Sequence, residues 1–176
     1  AASKLLAWSA ASSTGEEAYS LAITISEHLA KQAGPKPDWL VYASDISSKA
    51  IKAATTAIYQ EASLNLPQPQ FLQRYFKRGR DIYESKCRVK PEILDHVKIE
   101  RINLFQETYP LPAQLHLIFC RNVLIYFAQD SQSQLVSRLH RMLTPGGFLV
   151  IGHCDSLACF KHDFQSLGGG VYRKSS

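Results

Sequence analysis

Apolar positions along this chain switch repeatedly between two spacings. "LLAWS", Leu5 to Ser9, is a short continuous run that predicts a strand. Behind Gly15, Ala18, Leu21, Ala22, Ile25 and Leu29 recur at the spacing of one helix face, and the pattern stops near "AGPKP" with its glycine and prolines. "WLVYASD", Trp39 to Asp45, predicts a second buried strand closing on an acid. "SSKAIKAATTAIY" follows as a helix capped by Ser47 or Ser48. "VKIERINLF" predicts a third strand and "LHLIFCRNVLIYF" a fourth that runs into a turn. "SQSQLVSRLHRMLTPGG" predicts an amphipathic helix with Leu135, Leu139, Met142 and Leu143 inward, closed by Thr-Pro-Gly-Gly. "GFLVIGH" predicts a fifth strand, and "FQSLGGGVYRK" a final antiparallel pair. Strands alternating with helices, most without polar alternation, imply an α/β fold: a mostly parallel, doubly wound, Rossmann-like sheet covered on both faces.

Between about Tyr59 and Asp95 the periodicity loosens. "SLNLPQPQFLQRYF" carries two prolines, and "FKRGRDIYESKCRVK" reads as two strands joined by a short turn. This predicts a small antiparallel β-subdomain inserted into a single domain spanning residues 1–176.

Length and composition change this picture little. The chain has 176 residues, 45% hydrophobic and 20% charged, which suits one globular domain. No apolar run approaches the roughly 18 to 20 residues of a membrane span, and no signal-peptide pattern opens the chain. We therefore expect a cytoplasmic protein without membrane insertion. The chain begins almost at once with a strand, which suggests structure missing upstream. Four cysteines form no CxxC pair, and "HCDSLACFKH" spaces His153, Cys154, Cys159 and His162 more widely than a structural zinc site does. No metal is expected. Cys120 and Cys154 follow apolar runs and are expected as buried strand-end thiols, in keeping with a reducing compartment.

Charge adds more. The net charge of +5 favours acidic partners. The densest basic segment, Arg74 to Lys90, interleaves aromatics with Arg and Lys. It reads as a solvated hairpin face, as a protein-docking surface or, least of the three, as a nucleic-acid surface.

In a doubly wound sheet, ligands bind beyond the carboxyl ends of the strands. The loops expected to carry function are Ala10–Glu17, Asp45–Ile46, Asn103–Leu104 and Arg121–Tyr126, each with a polar residue just after an apolar run. A dinucleotide would require GxGxxG, so that backbone amides could approach a pyrophosphate. "SAASSTGEE" offers only Gly15, no lysine follows it, and Glu16 and Glu17 would repel phosphate. A phosphate-free ligand with cationic groups is favoured, and S-adenosylmethionine fits. Asp45 stands where an acid binds ribose hydroxyls in related folds. Taken singly, Glu16 and Glu17 could simply complement the helix dipole, Asp45 and Asn122 could cap turns, and Tyr126 could be core.

"WSAASSTGEEAYSLAI", "ASDIS", "INLF", "FCRNVLIYF" and "PGGFLVIGH" together resemble the ordered motifs of the CheR-type chemoreceptor glutamate methyltransferases, across essentially the whole chain. The resemblance implies a SAM-binding α/β domain with an inserted β-subdomain. The implied reaction is transfer of a methyl group from S-adenosylmethionine to glutamate side chains of a receptor's helical bundle, leaving S-adenosylhomocysteine. It implies cofactor contact from Ala11, Thr14, Gly15, Glu16 and Glu17, ribose contact from Asp45 with Ile46 beside it, and adenosine contact from Asn103 and Leu104. Asn122 and Val123 would border the cofactor. Tyr126 would be the active-site tyrosine, and Arg121 would bind substrate or brace the loop. The partner implied is a chemoreceptor, reached through the basic surface and the β-subdomain, with no nucleic acid and with the protein a monomer. The sequence departs from the family in lacking its N-terminal helical domain, in Ala18 where proline is common, and in "GHCDS" where Gly-His-Ser-Glu is usual. "RGRDIYESKC" does not match the receptor-docking turn. Two alternatives stay open: a methyltransferase with a small-molecule or nucleic-acid acceptor, and a non-catalytic SAM-binding signalling module.

Overall fold

The computed structural model describes residues 4–175. Five strands lie parallel at its centre: β1 (Leu5–Ala10), β2 (Trp39–Asp45), β6 (Val97–Arg101), β7 (Leu115–Cys120) and β8 (Leu143–Ile151). The antiparallel strands β9 (Phe164–Gly168) and β10 (Val171–Lys174) extend the edge beside β8, giving the order β6-β2-β1-β7-β8-β10-β9. The order reverses at β1, so the crevice between the β1 and β7 ends is the switch point where such sheets hold ligands.

Alternate residues of the central strands feed two separate cores. Ala7, Val41 and Ala43 face α1 (Glu16–Lys31), whose Ala18, Tyr19, Leu21, Ala22 and Leu29 cover one side. Trp8, Ala10, Ile118 and Cys120 face α5 (Gln129–Met142) and its Leu135, Val136 and Leu139 on the other. Strands buried on both faces need no polar alternation, as their sequences lack it. The one indole donor in this layer is satisfied: Trp8 Nε1 donates to Ser44 Oγ at 2.9 Å. Lys174 closes α5, its ammonium donating to the carbonyls of His140 (2.9 Å) and Leu143 (2.7 Å), where the helix dipole favours a cation.

A second, three-stranded antiparallel sheet stands between α2 (Ser48–Thr56) and β6, in the order β3 (Ile58–Gln60), β5 (Lys86–Val89), β4 (Phe76–Arg78). Short helices α3 (Gln70–Tyr75) and α4 (Pro91–Leu94) flank it. Among the described residues, no helix is long and apolar enough to cross a membrane.

Three expectations are corrected. The helix read through Tyr59 stops at Thr56, because Ala57 adopts a left-handed conformation (φ 52°) and sends Ile58–Gln60 into the small sheet. Leu143 is the first residue of β8 rather than the end of α5, and the strand runs through Thr144–Gly147 with a register irregularity against β7. Cys154 lies beyond the end of β8 and is exposed, whereas Cys120 is buried. Burial, reinforced by the charges of Asp155 and Glu17, pushes the Cys120 thiol far up, so it stays protonated.

Candidate functional site

The turn from β1 into α1 is tight and unusual in its backbone. Ala11 (φ 57°), Ser13 (φ 50°) and Gly15 (φ 96°) all occupy the left-handed region, where residues with a Cβ are strained. Bonds from elsewhere hold this shape. Ser12 N–H donates to the Ser44 carbonyl (2.7 Å), and Ser13 N–H donates to Asp45 Oδ2 (2.9 Å). The Tyr59 hydroxyl, reaching from β3, donates to the Thr14 carbonyl (2.8 Å). Burial raises the Tyr59 pKa far above its ordinary value, with the Glu16 carboxylate adding to it, so the phenol remains a donor throughout the working pH range. Gly15 is required as glycine: a Cβ there would lie 2.9 Å from Ala54 Cβ and 3.1 Å from the Tyr59 oxygen.

Three carboxylates gather around this turn. Glu17 accepts from Ser9 Oγ at 2.7 Å and pairs with Arg121 Nη1 at 3.2 Å, which joins the α1 start to the loop after β7. Glu16 is exposed and accepts from Thr14 Oγ1 at 2.6 Å. Asp45 accepts from Ser13 N–H with one oxygen and from Ser47 N–H with the other, both at 2.9 Å. Beside it Ile46 is 57% exposed, and the Ile46 carbonyl accepts from Arg101 Nε at 2.9 Å. Asn103 is exposed, its side-chain oxygen accepting from Phe105 N–H (2.9 Å). Leu104 turns inward instead, buried in the α5-side core, with its carbonyl accepting the Tyr109 hydroxyl.

Past β7, Arg121 and Val123 are half-buried while Asn122 is exposed in a left-handed conformation (φ 56°). A 3-10 turn, Leu124–Tyr126, then presents Tyr126 at 77% exposure, closed by Tyr126 N–H donating to the Val123 carbonyl. The four predicted loops thus lie along the same edge of the sheet, a crest at the ends of its parallel strands. Bonds join the β1–α1 turn to Asp45 and to Arg121, whereas Asn103 bonds within its own loop and the side chain of Leu104 is in the core. The sequence reading missed Ser9, Tyr59 and Asp155, which hold the crest through bonds to Glu17, the Thr14 carbonyl and the Asn122 amide. The signal for Asp155 was an acid just beyond Gly152 after an apolar run.

The small sheet carries a different chemistry. A groove of about 700 Å3 is lined by Lys77, Arg78, Arg80, Lys86 and Arg88 together with Tyr83, and by none of the crest residues. Glu61 takes Arg78 out of this set through a two-pronged pair (2.7 and 2.9 Å), leaving Arg80 and Arg88 exposed.

Residues 1–173 match the family model described as "CheR methyltransferase, SAM binding domain". The chain is 39% identical over 168 residues to a chemotaxis protein methyltransferase of Salmonella typhimurium, covering 96% of this chain and 57% of that protein. It is likewise 39% identical to one of Escherichia coli, covering 96% and 58%. The chain therefore spans somewhat over half the length of these relatives. Among solved structures, the CMeT domain of the citrinin polyketide synthase aligns over 84% of this chain and 28% of that one, with a TM-score of 0.50 and 17% identity, a likeness of fold alone.

Proposed function

The chain belongs to the CheR methyltransferase family, as its SAM-binding domain, and from that premise we propose that the complete protein methylates glutamate side chains of chemoreceptors to glutamyl methyl esters. Residues 1–176 act in this reading as one S-adenosylmethionine-binding unit, with the small sheet as an insertion. The observation that carries it is the acid-rich, phosphate-hostile crest formed by Glu16, Glu17 and Asp45 around the β1–α1 turn.

The crest residues fit this cofactor. A helix start ordinarily attracts an anion, but Glu16 and Glu17 occupy that field with like charge and favour the ammonium and sulfonium instead. An ionised carboxylate offers about four acceptor sites. Asp45 uses two of them on Ser13 and Ser47 N–H, leaving acceptors for a ribose diol. In this assignment Ala11, Thr14 and Gly15 border the amino-acid end with the two glutamates. Ile46 flanks the ribose, Asn103 and Leu104 the adenosine, and Asn122 and Val123 the reacting end.

Bound S-adenosylmethionine supplies a methyl group made electrophilic by its sulfonium charge. The acceptor glutamate is already ionised at neutral pH, with an ordinary pKa of about 4.3, so no general base is needed. The protein's task is to hold the acceptor oxygen in line and to strip water from it. Because opposite charges cancel in the transition state, a cation fixed on the acceptor would oppose reaction. Arg121 is engaged on Glu17 and acts as a brace. The neutral side chains of Asn122 and Tyr126 are left to align the carboxylate. Lys77, Arg80, Lys86 and Arg88 steer a glutamate-rich receptor segment towards the protein. The same reading has a monomer acting in the cytoplasm, with receptor protein rather than nucleic acid meeting the basic groove.

Incubation of the complete protein with methyl-labelled S-adenosylmethionine and a chemoreceptor signalling fragment tests this. The expected result is label on glutamates, released as methanol by mild alkali. Protein that binds S-adenosylhomocysteine yet labels no receptor fragment would refute the proposed acceptor.

A further inference from the structure

Asp155 lies just past the end of β8 and is 8% exposed. Its carboxylate accepts three backbone N–H groups. Oδ2 takes Asn122 (2.7 Å) and Gly152 (3.0 Å), and Oδ1 takes Ile125 (3.2 Å). One side chain thereby ties the end of β8 to a loop some thirty positions earlier in sequence. The fit is close, since a Cβ on Gly152 would lie 2.5 Å from Asn122 Oδ1 and 2.8 Å from Asp155 Oδ2. The loop so held turns its backbone inward onto the carboxylate; Leu124 seats in the core at 1% exposure, while Ile125 (48%) and Tyr126 (77%) project outward. Asn122 is kept in a left-handed conformation at the first of the three bonds.

We propose that Asp155 is a positioning residue for methyl transfer, its carboxylate fixing through three backbone amides the turn that carries Asn122 and Tyr126. The inference rests on the methyltransferase reading above. Tyr126 has no side-chain hydrogen bond among the described residues, so no polar contact of its own holds the ring, and its backbone turn sets the point and direction from which it projects. That turn is anchored at Ile125 N–H by Asp155 Oδ1. A misplacement near 1 Å of a group that aligns reactants costs about 10²-fold in rate. The two oxygens divide the work: Oδ2 holds the Asn122 end and Oδ1 the Tyr126 end.

That division makes Asp155→Asn a selective probe. Asparagine has one acceptor oxygen and an NH2 that cannot accept. With its oxygen on the two-amide side, its NH2 faces the Ile125 N–H and the Tyr126 turn is released while the Asn122 end is kept. In the complete protein we expect turnover to fall at least tenfold, with S-adenosylhomocysteine affinity changed less than threefold. Hydrogen exchange at the Ile125 amide should accelerate while Asn122 stays protected. Asp155→Glu, which keeps two acceptor oxygens, should recover most of the lost turnover. Unchanged turnover, or turnover, affinity and all three amides lost together with no recovery in Asp155→Glu, would overturn the proposal. If Asp155→Asn yields no folded protein, Asp155→Glu decides. Turnover and Ile125 protection shifted together support the assignment, and altered turnover with all three amides protected as in wild type overturns it. Wild-type protein that binds no S-adenosylhomocysteine would sink the functional reading instead. The Ile125 exchange rate in Asp155→Asn then decides the positioning by itself, acceleration supporting it and an unaltered rate overturning it.

Discussion

Replacing Gly15 by alanine tests the cofactor turn where its geometry is least forgiving. Two costs add. The left-handed backbone at φ 96° strains any residue with a Cβ by about 1–2 kcal/mol. The new methyl also meets Ala54 Cβ at 2.9 Å, Ala54 Cα at 3.2 Å and the Tyr59 hydroxyl at 3.1 Å. Only the last of these can retreat, and it does so by giving up its bond to the Thr14 carbonyl. Overpacking of this kind costs about 1–3 kcal/mol more. Gly34 supplies the control, since its φ is 92° but nothing lies within 4 Å of a Cβ built there. Gly34→Ala should lose only the backbone part. The difference between the two variants, about 1–3 kcal/mol, isolates the crowding and corresponds to a further fall in melting temperature of about 2–12 °C for a chain of this size. Urea and thermal unfolding of both variants measure this, and calorimetry with S-adenosylhomocysteine reports the functional side. Affinity should drop in Gly15→Ala and not in Gly34→Ala. Gly15→Ala no less stable than Gly34→Ala, with affinity intact, would refute the close approach of Gly15 to Ala54 and Tyr59.

Tyr126→Phe should lower turnover far more than S-adenosylmethionine affinity; equal losses would make Tyr126 a binding residue only. Arg80→Gln with Arg88→Gln should reduce kcat/KM on a receptor fragment severalfold at low ionic strength, and the effect should shrink near 0.15 M salt, where charges are screened beyond about 8 Å. A rate indifferent to salt would remove the groove from receptor encounter. Burial, then Lys174 and Arg141, lowers the His140 pKa, against the opposing pull of Asp163. The folded state therefore binds the proton less readily than the unfolded chain. The stability contribution is complete above an ordinary imidazole pKa of about 6.5 and is lost as pH falls through that value towards the depressed folded one. The urea midpoint should decline over that window in wild type, and His140→Phe should flatten the decline.

The crest was legible because three of its four loops open with a polar residue after an apolar run, at Asp45, Asn103 and Arg121. Such a residue cannot continue a strand buried on both faces, so the strand end and the site announce themselves together. What holds those residues was not legible. Arg121 meets Glu17 across 104 positions and Tyr59 meets Thr14 across 45, distances over which no periodicity carries information. The strand Ile58–Gln60 was hidden for a local reason. "AATTAIY" contains no glycine or proline, and the left-handed residue that ends the helix is an alanine, Ala57. Pro145 and the two glycines after it, read as a helix stop, lie inside β8 because the strand is irregular there against β7, where a missing donor is tolerated.

Titration calorimetry of the folded, complete protein with S-adenosylmethionine and S-adenosylhomocysteine addresses the acid-lined crest most directly. The account predicts saturable heat at one site for both, weakened when Asp45 is changed to Ala, and none for ATP or a nicotinamide dinucleotide. Absence of heat with either methyl compound, or binding of the phosphate-bearing nucleotides in their place, would contradict it.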